Sequence, residues 1–277
     1  MKIQYIASLA ILMGGGLVGC GDKPASTTAQ KPESTPTQAT ASATPALPDD
    51  APVYKVATTG TSTPMSFKSE TNQLTGIDVD VITAVGEREG FKVEFIPVKW
   101  GELFTGLDDK LYDIAISGIS WTEERAGKYG ASDSYFFSPA AFAYIDNGKP
   151  MTSLADLKGV KVGVLSGAKH EQTAKDAGAS EVITTNRGFE AFTLMVQGQV
   201  DAFMHDYVDL KEFQKNYPDH KVVIQNIEDE SNKSAHYTVL TQKDNTELLA
   251  KINSGIEKLK ADGTLDKISE KYLGSEK

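Results

Sequence analysis

Residues 53–60 (VYKVATTG) mix β-branched and polar positions and end on a glycine, the pattern of a strand running into a turn. In 76–90 the period changes: Val79, Ile82 and Val85 fall on one face of a helix, and Gly90 stops it. FKVEFIPV (91–98) returns to a strand, and Trp100 to Leu111 forms a short amphipathic helix carrying Leu103, Phe104 and Leu107. An apolar strand then follows Asp113. A second set begins after Asn147-Gly148: strand VKVGVLSG (160–167), a polar helix from about His170, strand EVITT (181–185), a helix near Phe189–Gln197, and strand VDAFMHD (200–206). Strands alternating with helices predict an α/β fold with mainly parallel sheets. The two sets share a layout, and DKLYDIAISG parallels QGQVDAFMHD, so two lobes are expected. Leu248, Leu249, Ile252, Ile256 and Leu259, then Leu265, Ile268, Tyr272 and Leu273 after Gly263, predict two packing helices at the C-terminal end.

The N-terminal region follows neither pattern. Lys2 precedes an apolar run from Ile3 to Val18, too short and wrongly flanked for a membrane span, which reads as an export signal. Cys20 is the only cysteine of the 277 residues, so no intrachain disulfide is possible. Gly21 to about Pro52 is rich in Ala, Thr, Ser, Pro and Gln without an aromatic residue, and reads as a disordered tether. Formal charge is -10, which argues against nucleic-acid binding. An anionic small ligand remains compatible, because a pocket can be locally positive.

The segment DIAISGISWTEER (113–125) carries the candidate chemistry. Ile114–Ile116 lead into the small-residue turn Ser117-Gly118-Ile119-Ser120, then into a charged helix start and Arg125. N–H groups at such a turn cradle an anion, and a guanidinium five residues on supplies a planar bidentate partner for a carboxylate. An ordinary strand–turn–helix with a solvated arginine fits the same residues. The four histidines (His170, His205, His220, His236) lack zinc-type spacing, and no GxSxG or P-loop motif occurs, so no metal, cofactor or catalytic residue is expected.

Several segments in order resemble the family-3 bacterial extracellular solute-binding proteins, the amino-acid receptors of ABC importers. They are GIDVDV (76–81), SGISWTEER (117–125), DLKGVKVGVLSG (156–167), QVDAFMHD (199–206) and ADGTLDKISEKYLG (261–274). Glu89 is a small departure, standing where an apolar residue is usual. LVGC (17–20) similarly resembles a lipobox, with Cys20 as lipid anchor; a plain cleaved signal is the alternative. The resemblance implies a two-lobe periplasmic-binding-protein-like fold, each lobe a mainly parallel sheet flanked by helices, joined by two crossover strands. Residues 1–19 would be the signal peptide, 20–52 the lipidated Cys and tether, 53–143 plus 240–277 lobe one, and 147–235 lobe two, with crossovers near Ala143–Asn147 and Ala235–Val239.

By the same resemblance Arg125 grips the ligand's α-carboxylate, with Ser120, Gly118 and Ser117 in the turn beside it. Asp206 accepts from the α-ammonium, His205 precedes it as in glutamine-binding members, and Trp100 packs over the ligand side chain. Thr59 stands where many members carry an Asp, Ser62 where an aromatic is common, and Met65 where Phe is usual. Lys169, in Ala168-Lys169-His170, is a candidate second cation for an acidic ligand. The implied function is binding rather than catalysis: capture of glutamine, glutamate or a similar polar amino acid for an ABC permease with a separate ATPase. The protein would be an exported monomer, lipid-anchored and facing the periplasm or cell surface. The alternatives are a cyclohexadienyl dehydratase-like enzyme, with Glu171, His170 and His205 as conceivable acid–base groups, or a ligand-sensing lipoprotein.

Overall fold

The computed structural model describes residues 47–274. The expected signal peptide, Cys20 and most of the tether lie outside the described residues. The last tether residues already belong to the folded body: Ala51 is buried, and Lys92 donates its N–H to the Pro52 carbonyl at 2.8 Å.

Two five-stranded sheets are built the same way. In the first, strand Val53–Thr58 lies parallel to Lys92–Pro97 on one side and Ile114–Ala115 on the other. Leu240–Thr241 then runs antiparallel beside Ile114–Ala115, and Gly130–Ala131 forms the edge. In the second, Lys161–Leu165 lies parallel to Glu181–Thr185 and Ala202–Asp206. Ala140–Ile145 runs antiparallel beside Ala202–Asp206, with Val222–Asn226 at the edge. Strand-to-helix alternation accounts for the parallel half of each sheet, because parallel neighbours need a crossover helix. Each sheet's antiparallel strand directly follows a passage between the sheets: Ala140–Ile145 after Phe136–Phe137, and Leu240–Thr241 after His236–Tyr237.

The chain passes between the sheets twice, where Phe136–Phe137 and His236–Tyr237 pair antiparallel and Tyr237 stacks on Phe136 with ring centroids 5.6 Å apart. The first passage therefore precedes the expected crossover at Ala143–Asn147. Ala140–Ile145 lies inside the second sheet, bonded on both sides, so the lobe boundary falls before Ala140 rather than at residue 143. The apolar run AAFAYI looks like a connector only while its partner Val222–Asn226 goes unrecognised.

Helix Ile77–Glu89 ends on Gly90 in the left-handed region, as its sequence predicts. It buries Ile77, Val81, Ile82 and Val85 against Ile252 and Ile256 of the C-terminal helix Thr246–Ala261. That contact returns the end of the chain to the first sheet. The second sheet is covered by helices Lys169–Asp176, Gly188–Val196 and Tyr207–Gln214, with Phe192, Phe203 and Phe213 in mutual contact. Ile252→Ala should lower the unfolding free energy by about 2–5 kcal/mol through lost burial and a residual cavity. Urea denaturation measures it; an unchanged midpoint would mean that the C-terminal helix is not integral to the first lobe.

Candidate functional site

In both sheets the parallel strands point their carboxyl ends at one cleft, the usual ligand position in open α/β sheets. The residues following those ends surround a cavity of about 960 Å³. All ten sequence-predicted ligand residues line it: Thr59, Ser62, Trp100, Ser117, Gly118, Ser120 and Arg125 from the first lobe, Lys169, His205 and Asp206 from the second. Met65 does not; it is buried in the first-lobe core.

Arg125 is placed by local chemistry. Thr122 caps the helix Glu123–Lys128 by accepting the Arg125 N–H on its hydroxyl at 3.1 Å. The guanidinium lies over the rings of Phe104 (5.0 Å) and Trp100 (5.6 Å). Its Nη1 donates to the Ser120 carbonyl at 2.9 Å, and its Nη2 reaches the Gly167 carbonyl of the other lobe at 3.5 Å. Among the described residues no carboxylate forms an ion pair with it. Burial pushes Arg125 below its ordinary value, and the Asp206 carboxylate pulls it back. A guanidinium stays charged regardless. The result is a half-buried cation whose protein hydrogen bonds go to carbonyls and which retains N–H donors for another anion.

The turn beneath it is fixed from behind. Ser117 Oγ accepts the Thr59 N–H at 3.3 Å and shares a 2.8 Å hydrogen bond with the Thr59 hydroxyl. Gly118 has φ 57°, and a Cβ there would lie 3.2 Å from the Tyr237 ring. Asp78, fully buried on helix Ile77–Glu89, accepts from the Tyr135 hydroxyl at 2.5 Å. Burial pushes Asp78 up to about 7, outweighing the lowering by the Tyr135 hydrogen bond.

The second lobe answers with a denser set of charges. Asp206 is buried at the end of strand Ala202–Asp206. Lys169 Nζ is 3.4 Å from its Oδ1 and His170 Nε2 is 3.3 Å away. Burial pushes the Asp206 carboxyl up, but Lys169 and His170 overcome that and hold it well below the usual carboxylate range. Lys169 also pairs with Glu228 at 3.0 Å and donates to the Ser234 carbonyl at 2.5 Å. It lines the cavity, yet its charge is matched by two carboxylates. That corrects the expectation of a second free cation for an acidic ligand. No local pattern marks Glu228, which approaches across 59 residues.

His205 packs against Phe203, Phe213 and His170 with ring centroids 5.5, 6.0 and 5.5 Å away. Gly188 allows this packing: a Cβ there would lie 2.9 Å from His205 Nε2. Asp209 and Phe189 are among the cavity residues that sequence reading missed. Asp209, on the first turn of helix Tyr207–Gln214, accepts from Ser62 Oγ at 2.5 Å across the cleft. Phe189, 41% exposed, adds an aromatic wall from the lobe opposite Ser62. Asp209 lies three positions after Asp206, but only the helix start turns it back into the cleft. Glu171, a candidate acid for the enzyme alternative, bonds Lys175 Nζ at 2.7 Å and the Gly167 N–H at 3.2 Å. Lys175 and then Gly167 hold it below its ordinary value, which makes it a poor proton donor.

The family model of bacterial extracellular solute-binding proteins, family 3, matches residues 54–275. The chain belongs to this family. Among relatives, the L-cystine-binding protein TcyA of Bacillus subtilis (strain 168) is 32% identical over 225 residues, covering 81% of this chain and 82% of the relative. An ancestral arginine-binding protein solved with glutamine is 36% identical, with a TM-score of 0.73 over 80% of this chain and 98% of its own. An ancestral amino-acid-binding protein described as a precursor of cyclohexadienyl dehydratase is 31% identical, with a TM-score of 0.72 over 80% of this chain and 95% of its own. As a family-3 protein the chain has a substrate-binding role in ABC amino-acid import. Neither the family nor these relatives fix the amino acid.

The buried Asp78 makes a pH prediction. Its folded value of about 7 lies above the ordinary 3.8. Between those values the folded chain holds a proton that the unfolded chain has released, so this group makes stability fall as pH rises from about 4 to 7. The slope is up to about 1.4 kcal/mol per pH unit. Asp78→Asn should remove this component, read as a smaller loss of urea stability from pH 5 to pH 7 than in the parent. Identical slopes in the two proteins would refute it.

Proposed function

We propose that the chain captures a small, neutral, polar amino acid of the glutamine type between its lobes and presents it to an ABC permease. The observation that carries this reading is the placement of Arg125 and Asp206 on opposite lobes around one cavity. Arg125 carries a guanidinium without an ion pair, and Asp206 is a buried carboxylate kept ionised. An α-amino acid offers the complement, a carboxylate for Arg125 and an ammonium for Asp206. A zwitterion that meets both is bound best when the lobes are closed, so ligand selects closure.

The roles of the remaining residues follow from their positions. Ser120, Gly118 and Ser117 complete the carboxylate end, Trp100 flanks the side chain, and Thr59, Ser62 and His205 border it. Lys169 serves the ligand by fixing Asp206 rather than by direct charge recognition. Because its ammonium is matched by Asp206 and Glu228, we favour glutamine over glutamate. Trp100 and Phe189 supply apolar faces from the two lobes for the aliphatic part of the side chain.

We favour binding over catalysis because Glu171, the carboxyl group invoked for the dehydratase alternative, is ion-paired with Lys175 and does not line the cavity. The cellular part of the proposal rests on sequence. The 1–19 signal is removed, Cys20 is lipidated, and residues up to about 47 tether a monomeric body outside the cytoplasm. Among the described residues no helix is long and apolar enough to cross a membrane.

Calorimetry on protein unfolded and refolded to strip carried-over ligand tests the binding reading. Glutamine should bind at one site, more tightly than glutamate. Arg125→Ala should weaken binding at least 100-fold, since a charge-assisted bidentate pair is lost, while the ligand-free melting temperature stays within a few degrees. Retained affinity would remove the carboxylate assignment. For the anchor, Cys20→Ser should move the protein from the membrane to the soluble fraction of expressing cells; unchanged membrane association would remove Cys20 from that role.

A further inference from the structure

Asp209 is a cleft carboxylate to which the capture of a zwitterion gives no role. It stands on the first turn of helix Tyr207–Gln214, lines the cavity and is 3% exposed. Its Oδ1 accepts from Ser62 Oγ of the other lobe at 2.5 Å, and its Oδ2 faces His205 Nδ1 at 3.5 Å. Ser62 and His205 border the ligand side chain, so Asp209 belongs to the same wall. One of its oxygens lies within 4.8 Å of an Asp206 oxygen. A ligand whose ammonium meets Asp206 therefore has Asp209 within reach of its side chain.

The two carboxylates differ in what neutralises them. Asp206 has Lys169 at 3.4 Å and His170 at 3.3 Å. Among the described residues Asp209 pairs with no lysine or arginine; a hydroxyl and an imidazole face it instead. Burial pushes its carboxyl above the ordinary value, and His205 and Ser62 offset only part of that. A buried carboxylate so placed gains from each further N–H it accepts, and its oxygens have acceptor sites beyond the one that Ser62 takes.

We propose that Asp209 is a specificity-determining residue, selecting ligands whose side chain ends in N–H donors and rejecting those ending in a carboxylate. The inference rests on the capture reading and names the group that makes it prefer an amide. A glutamine side chain donates its amide N–H to Asp209 in a charge-assisted hydrogen bond. A glutamate side chain brings a second carboxylate against the first, which costs affinity through repulsion and leaves both without a donor. Thr59 on the first lobe is a poor substitute, because its hydroxyl is engaged with Ser117 at 2.8 Å. Asp209 meets Ser62 only when the lobes approach, so the selection operates on closure.

Calorimetry on ligand-stripped protein tests this with glutamine, glutamate and the γ-methyl ester of glutamate, which is neutral and has no side-chain N–H. The parent should bind glutamine roughly 100-fold tighter than glutamate and about tenfold tighter than the ester. The near-isosteric Asp209→Asn should cut the glutamine-to-glutamate ratio about tenfold, chiefly through tighter glutamate binding, because the new amide donates to a carboxylate. A carboxylate that only latches onto Ser62, or only adds an acceptor for the α-ammonium, would change both affinities by the same factor; an unchanged ratio overturns the proposal. An ester that binds the parent as tightly as glutamine also overturns it, and that result needs no variant to fold. Lysine or arginine binding tighter than glutamine, with the preference lost in Asp209→Asn, would uphold the donor rule and remove the preference for a neutral ligand. Failure of every α-amino acid to bind would sink the capture reading and this one with it. Binding that Arg125→Ala abolishes and Asp209→Asn leaves equally selective would sink this one alone.

Discussion

A guanidinium withdrawn from water without a carboxylate beside it is costly, and the first lobe is arranged around tolerating one. Arg125 is tolerated because Phe104 and Trp100 offer ring faces and Ser120 offers a carbonyl. Neither neutralises it. Cation–π contacts and neutral hydrogen bonds contribute on the order of 1 kcal/mol each, less than a desolvated ion pair requires. The fold therefore leaves Arg125 with guanidinium donors that an anion would satisfy. Moving a carboxylate of the protein beside Arg125 would stabilise the empty chain and fill the place that a ligand carboxylate would take.

The second lobe solves the opposite problem by a different route. Its buried carboxylate is not left isolated: Lys169 and His170 keep Asp206 ionised, and Glu228 in turn keeps Lys169 from dominating. One lobe thus presents a cation short of a partner, and the other an anion inside a nearly balanced network. The direct links across the cleft are short and few: Ser62 to Asp209, and Arg125 to the Gly167 carbonyl. Such contacts can hold a closed geometry without a large apolar interface that would resist opening, which suits a hinge.

What could be read from the sequence follows from how local each signal is. The strands at 53–58, 92–97, 161–165 and 181–185 and the helix stop at Gly90 are set by neighbours within a few positions, and the structure has them. The same holds for Arg125, whose capping threonine is three residues away. Strand Ala140–Ile145 was misplaced because its partners lie about 60 and 80 residues later. Lys169 illustrates the limit for the site. Its position in the cleft was legible, but its availability depends on Glu228 and Ser234, which reach it from a loop that local pattern cannot connect to it. Asp209 and Gly188 are similar: one is turned inward by a helix start, the other matters only through the ring that occupies the space beside it.

The passage between the lobes is also more than a tether. Tyr135 precedes the first crossover strand and Tyr237 lies in the second, with ring centroids 6.4 Å apart. Tyr135 bonds Asp78 at the start of the long first-lobe helix, and the Tyr237 ring limits the space at Gly118. The two crossover strands are thereby packed onto the turn that carries Ser117, Gly118 and Ser120. Glycine adopts the positive φ of this turn without strain, whereas a side chain at residue 118 would meet the Tyr237 ring.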